Sequence, residues 1–377
     1  MKQALLHLLQ EHLTKYPAMQ LQDCIKLLYQ RILGSEHMFM ESDRCYRLLL
    51  EEKERIGTDS SCPPYEDLGG NCCRFHLLPL SLGSTESDRD YSTLHTLCRL
   101  FLKSMPTLSE HANEKKAFFE EALTWLLDWV REGVLPFSTT EAEQFLALYQ
   151  KKDCPAIHHS SRFRDAYHPA YRLLRTDYAF YFPLFVRLDQ LFTEKEHVVL
   201  AIDGKCGAGK STLAALLSTV YPCQVIRMDD FYLPAKLRTK ERLAEAGGNI
   251  HYERFAAQVV PALLALKQGA PLPTDAAYQL FDCQRMDFLD YCSTITDRPL
   301  TIVEGSYSLR PEFLEAYDLT VFLTISETVQ KERLLARNGK DAFPNFESKW
   351  IPMELQYLEN FRIAEICDLA FSPESSC

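Results

Sequence analysis

The sequence predicts an α/β fold in its second half, a parallel sheet covered by helices, preceded by a mostly α-helical domain. Three observations predict it. The apolar pattern changes character near residues 190–197. Beyond that point, five short apolar runs alternate with helical stretches, as βαβ units around a parallel sheet require. The first of these runs leads through a glycine-rich turn into a helix. At roughly 150 residues per domain, a chain of 377 residues accommodates two domains or three, drawn here as 1–194 and 195–377.

In the first part, residues 2–16, 19–33, 41–56, 88–104, 112–132 and 140–152 place apolar side chains at i, i+3, i+4 and i+7, the helical spacing. Gln20 to Asp23 reads as a helix start, Gly34 as a helix end, and Ser35 as a new N-cap with Glu36 close behind. The turn-rich stretch 58–86 holds one short strand at Phe75–Leu80, and a helical pair covers 162–175 and 180–194. In the second part the expected strands are His197–Asp203, Gln224–Met228, Pro299–Glu304, Asp318–Thr324 and Asp368–Phe371. Ten of eleven histidines lie at or before His197, which supports the division.

Composition excludes several classes. Hydrophobic residues make up 46% and charged residues 25%, the proportions of a globular chain. No apolar run reaches the roughly 18–20 residues that span a bilayer. The N-terminal MKQALLHLLQEHL alternates apolar and polar residues and lacks a signal-peptide core. With 13 scattered cysteines and no C-x-x-C pair, reduced thiols and a cytoplasmic setting are expected. A net charge of −11 argues against broad nucleic-acid binding.

The strongest motif is HVVLAIDGKCGAGKS at His197–Ser211. Gly204, Gly209, Lys210 and Ser211 fit G-x-x-x-x-G-K-[ST], with a strand before and a helix after. Successive backbone N–H groups of such a loop surround phosphate oxygens, and the helix aims its positive end at the same anion. Gly204, Lys205, Cys206, Gly207, Ala208, Gly209, Lys210, Ser211 and Thr212 are therefore the expected nucleotide-binding residues. Lys210 supplies a cation for the outer phosphates, and the Ser211 hydroxyl is placed for Mg²⁺. Loop dipoles and Lys210 favour a thiolate at Cys206, although a small loop-filling side chain is the simpler reading.

Two strand ends follow. Gln224–Met228 runs into Asp229-Asp230-Phe231-Tyr232, placing carboxylates beside the ligand crevice of an open sheet. A carboxylate there accepts the proton of an attacking hydroxyl or reaches a metal; an Asp pair capping a turn is the alternative. Thr301–Ser306, TIVEGS, ends a strand in Glu304, a further metal-side carboxylate, with Gly305 permitting close backbone approach. Arg333 and Arg337 then stand at i and i+4, as lid cations over phosphates or as a solvated face.

Taken in order, GKCGAGKS, DDFYLP, VEGS and ERLLAR resemble the uridine kinase and phosphoribulokinase group of P-loop kinases, over about residues 195–377. FESKWIPMELQYLENF at 346–361 also looks like the C-terminal helix region of bacterial members. The resemblance implies a five-stranded parallel sheet, ATP·Mg²⁺ as donor and a small-molecule hydroxyl as acceptor. By the family pattern Asp229 would be the general base and a metal-side group. Glu304 would support the metal, and Arg333 and Arg337 would belong to the lid. The chain departs at Gly247–Phe255, where His251 stands in place of the usual acidic residue. Tyr232, His251, Arg254, Tyr278 and Asp282 are candidates for the acceptor wall.

The first half resembles no family. Two polar clusters stand out: Glu36-His37 with Asn71 and Arg74, and His158, His159, Arg162, Arg164, Tyr167, His168, Tyr171 and Arg172. They read as an anion or metal pocket or, more simply, as satisfied structural groups; Cys62, Cys72 and Cys73 match no zinc spacing. This half is a candidate for binding a regulator, completing the acceptor site or holding a homo-oligomer. The preferred expectation is a small-molecule kinase. The alternative is an ATP-sensing regulator whose helical half signals to a partner. A GTP switch lacks its N-K-x-D sequence.

Overall fold

The computed structural model describes residues 1–34, 42–55, 63–77, 87–105 and 112–374. They form two compact units, Met1–Val186 and Arg187–Cys377. Among the described residues, no helix is long and apolar enough to cross a membrane.

The first unit holds helices α1 (Lys2–Lys15), α2 (Leu21–Leu33), α3 (Ser42–Arg55), α4 (Ser87–Ser104), α5 (Ala112–Arg131), α6 (Thr139–Lys151), α7 (Ser161–Tyr167) and α8 (Thr176–Phe180). The next helix, α9 (Phe182–Glu194), runs past its end. Helical periodicity locates the first six because each buries one stripe; Leu27, Leu28, Phe119 and Leu126 are fully buried in a shared core. Helix α2 starts where Asp23 accepts the Gln20 N–H at 3.0 Å and ends at Gly34, whose φ is 71°. The N-cap expected at Ser35 lies outside the described residues.

Two expectations need correction. The helix expected over 162–175 stops at Tyr167, because His168 adopts a left-handed conformation (φ 42°) and Pro169 follows. The strand expected at Phe75–Leu80 begins earlier and ends at His76, residues 78–80 lying outside the described set. Strands β1 (Tyr65–Gly69), β2 (Cys72–His76) and β3 (Tyr171–Leu174) make an antiparallel sheet in that order. The interior demand for a third strand overrides the helical pattern around residue 172.

In the second unit, β4 (Val198–Gly204) is buried at every position. It is followed by α10 (Lys210–Ser218), β5 (Cys223–Arg227), α11 (Lys240–Ala244), α12 (Tyr252–Gln258) and α13 (Val260–Lys267). A hairpin of β6 (Ala277–Asp282) and β7 (Asp287–Thr294) comes next, then β8 (Leu300–Glu304) and β9 (Leu319–Leu323). The chain closes with α14 (Glu327–Asn338), α15 (Phe343–Asn345), a π-helical turn Phe346–Trp350, α16 (Ile351–Asn360), α17 (Ile363–Ile366) and β10 (Leu369–Phe371). Five strands form a parallel sheet ordered β10-β9-β4-β8-β5. All five expected strands are present; the central three, β4, β8 and β9, are buried at every position, which is why they read as mainly apolar runs. The hairpin was not expected: its turn, Cys283–Met286, lacks an Asn-Gly or Asp-Gly signal. β4 is central, with β8 and β5 on one side and β9 and β10 on the other. A reversal of this kind opens a crevice at the carboxyl ends of the strands.

Candidate functional site

The glycine-rich loop joins β4 to α10 at that crevice. Gly204 has φ 146°, and a Cβ there would lie 2.1 Å from the Leu323 carbonyl oxygen of β9, so no other residue fits. The residue before it anchors the loop. Asp203 is fully buried, and its Oδ1 accepts the N–H groups of Gly204 and Tyr307 at 2.7 and 3.1 Å. Its Oδ2 accepts the Leu309 N–H at 2.9 Å and the Tyr357 hydroxyl at 2.7 Å. Burial pushes this carboxyl up despite those four donors.

Lys210 Nζ donates to the carbonyls of Gly204 and Lys205 at 2.6 and 3.1 Å and to Ser306 Oγ at 3.0 Å. Ser211 Oγ lies 3.1 Å from both carboxylate oxygens of Glu304, at the end of β8. Burial raises the Glu304 carboxyl, and the charge of Asp229 adds to the rise. A hydroxyl and a carboxylate converging on one point, beside an N–H-lined loop, are the hard oxygen donors that suit Mg²⁺, so these residues fit that ion.

Asp229 and Asp230 sit in a 3₁₀ turn, Met228–Phe231, directly after β5. Their surroundings differ. Asp229 is exposed at the crevice, whereas Asp230 accepts the Phe281 N–H at 3.3 Å and is raised by burial. Gly305 lets the two strand ends meet, for a Cβ on it would sit 2.7 Å from the Met228 Cβ.

The two arginines of α14 separate. Arg333 donates to the Gly207 carbonyl of the loop at 3.2 Å and to the Pro373 carbonyl at 2.6 Å. Arg337 is exposed one turn on and donates to Asn338 Oδ1 at 2.9 Å. The surroundings of Cys206 disfavour a thiolate. Burial and the carboxylate of Glu354 push its thiol up to about 12, outweighing Lys210.

Of the acceptor-wall candidates, Tyr232 borders the crevice, its ring 6.2 Å from that of Trp350. The others are engaged in folding contacts. His251 caps α12, accepting the Arg254 N–H at 3.3 Å. Arg254 donates to the carbonyls of Gln279 and Asp230 and lies between the rings of Phe231 and Phe288. Burial lowers its guanidinium to about 10. Tyr278 is packed in the core against Phe231, and Asp282 caps the hairpin turn through the N–H groups of Gln284 and Arg285.

Four residues near the loop escaped sequence reasoning: Asp203, Ser306, Gln330 and Glu354. Asp203 and Ser306 flank motifs already singled out, a usable signal. Glu354 lies 148 positions from the loop residue it touches, and only the fold brings them together.

In the first unit, the polar clusters partly coalesce into a buried network. Arg74 donates to Gln30 Oε1, and Gln30 Nε2 donates to the Tyr171 hydroxyl at 2.9 Å. The hydroxyl is 2.7 Å from His159 Nε2, and His159 Nδ1 is 2.9 Å from Asp23. Burial lowers the His159 imidazole to about 4, so at neutral pH it donates from Nδ1 and accepts at Nε2, completing one directed chain. Arg172 pairs instead with Glu52, and Asn71 holds the N–H of Asp177. Glu36, His37 and Cys62 lie outside the described residues. Among the described residues, no three His, Cys, Asp or Glu side chains gather to hold a metal ion.

No family model and no curated protein matches the chain. Among solved structures it is similar to one from Bacillus stearothermophilus described as a possible uridine kinase. That likeness has 19% identity and a TM-score of 0.34, over 50% of this chain and 99% of that one. It is also similar to TT1252 from Thermus thermophilus, at 20% identity and a TM-score of 0.24, over 48% and 91% of the two chains.

Proposed function

We propose that the chain is an ATP-dependent phosphotransferase that moves the γ-phosphoryl group to a hydroxyl of a small metabolite, a nucleoside or a related acceptor. The observation that carries this reading is the meeting of Ser211 and Glu304 at one point, with Lys210 and the exposed Asp229 both close enough to act on the Glu304 charge. Ser211 and Glu304 would hold Mg²⁺, which supplies charge neutralisation on the phosphates when bound. Lys210 would leave its loop carbonyls for phosphate oxygens, and Arg333 would add a second cation from α14. Asp229 would orient the acceptor hydroxyl and take its proton as the new O–P bond forms and the bond to the departing ADP breaks.

The test is ATP turnover against nucleosides, pantothenate, sugars and sugar phosphates. Asp229→Asn and Lys210→Ala are each expected to lower acceptor-stimulated turnover at least a hundredfold. If no acceptor stimulates turnover while ATP binds tightly, the kinase reading is wrong. A residual ATPase indifferent to Asp229→Asn would point to an ATP-sensing regulator.

A further inference from the structure

Glu354 of α16 is 3% exposed. Both of its carboxylate oxygens accept the Cys206 N–H of the glycine-rich loop, at 2.8 and 2.9 Å. The Ser306 hydroxyl donates to Oε1 at 2.7 Å, and Gln330 Nε2 of α14 lies 3.5 Å from Oε2. Among the described residues, no cation lies within ion-pair distance of this carboxylate. A buried charge is costly unless other groups compensate it. Here a loop N–H, a hydroxyl and an amide compensate it, the same kinds of donor that a phosphate oxygen would use.

The surrounding chain bears on the same point. Helix α16 begins directly after the π-helical turn Phe346–Trp350, an irregularity common at functional sites. Trp350, in that turn, lies against Tyr232, and Arg238 lies over its ring with 5.4 Å to the centroid. Gln330 also donates to the Cys206 carbonyl at 3.0 Å, so α14, α16 and the loop are joined at one carboxylate.

We propose that Glu354 is a built-in competitor of the nucleotide phosphates: it occupies the loop N–H in the resting state, and a polyphosphate must expel it to bind. This rests on the phosphate-loop reading above. Expulsion moves α16 and takes Trp350 away from Tyr232, so occupancy of the loop is transmitted to the wall beside Asp229.

The experiment titrates the full-length protein with Mg²⁺ and tripolyphosphate, by calorimetry, in the wild type, Glu354→Gln and Glu347→Gln. Glu347 is an exposed acid in the π-helical turn, so its replacement removes the same charge elsewhere. Glu354→Gln is expected to bind about tenfold more tightly, because a neutral amide competes less well than a carboxylate for the loop donor. Glu347→Gln is expected to match the wild type. Hydrogen exchange on the wild type needs no substitution: tripolyphosphate should slow residues 204–211 and speed residues 351–360. Equal or weaker binding by Glu354→Gln, equal tightening by Glu347→Gln, or protection of both segments overturns the proposal. Absence of binding in all three proteins would remove the phosphate-loop reading and the competition with it. Equal binding with the loop protected would remove the competition alone.

Discussion

Replacing Gly305 by alanine tests whether the two carboxylate-bearing strand ends must meet. Gly305 has φ 141°, where an L side chain is strained, and its new Cβ would lie 2.7 Å from the Met228 Cβ and 3.3 Å from the Met228 nitrogen. Ordinary carbon contacts are about 3.5–4.0 Å, so something must move by about 1 Å. Met228 is fully buried and cannot yield outward. The displaced backbone is the one that carries Asp229, while Glu304 precedes the substitution. Overpacking contributes about 1–3 kcal/mol and the backbone conformation about 1 kcal/mol more. We therefore expect Gly305→Ala to lose about 2–4 kcal/mol in urea unfolding followed by circular dichroism. Because a 1 Å misplacement can cost about a hundredfold in rate, acceptor-stimulated turnover should fall by that order even where the protein is folded. A variant within about 0.5 kcal/mol of wild type, with unchanged turnover, would refute the claim that this contact sets the spacing of Asp229 and Glu304.

Three further predictions follow from individual contacts. Asp203→Ala leaves three buried N–H groups and the Tyr357 hydroxyl without their acceptor; we expect a loss of about 3–5 kcal/mol in urea unfolding, part of the gross cost being offset by removing a buried charge. A loss below about 1 kcal/mol would show that the loop does not depend on it. Arg333→Ala should weaken ATP turnover about tenfold or more, and Arg337→Ala by about twofold or less, because only Arg333 touches the loop; the reverse order would refute the assignment. In the first unit, the folded state holds His159 neutral down to about 4 against an ordinary 6.5. Its contribution is therefore full above pH 6.5 and is lost as pH falls towards 4, about 3 kcal/mol at 1.36 kcal/mol per pH unit. Asp23, where hydrogen bonds from His159 and Ser160 overcome burial, extends the loss below the usual carboxylate range. Unfolding midpoints measured from pH 7.5 to 4 should fall less steeply in His159→Gln; parallel slopes would exclude His159 as the source.

The sheet was legible because its three central strands, β4, β8 and β9, are buried throughout, and the loop because glycine, lysine and serine occur there at the spacing that phosphate binding needs. Gly305 was legible for the same kind of reason: a close approach leaves only one residue type. Side-chain partners were not. His251, Arg254 and Asp282 carry groups that suit a ligand, yet a turn, a cap and a pair of aromatic rings engage them first. Tertiary pairing also decided the fate of Tyr171–Leu174, where β2 offered a ladder that the local pattern did not announce. Arg333 and Arg337 share a helical face by spacing, but the loop reaches only the first of them.

A net charge of −11 does not oppose the proposed anion-binding role of the loop, because donor geometry, not total charge, decides where anions sit. The carboxylates around the loop are distinguished by what they accept. Asp203 accepts main-chain N–H groups on the side facing the core, which fixes the loop without competing for its ligand. Glu304 faces the Ser211 hydroxyl, a donor set suited to a cation. Glu354 accepts the Cys206 N–H, further along the loop, from a helix residue 148 positions away in sequence. On the proposed reading, an incoming polyphosphate would meet one acid that holds the loop in place, one that would join it through a metal ion, and one that it would have to displace. Only the third relation would make binding depend on the position of a distant helix, and that proposed dependence is what substitution of Glu354 isolates.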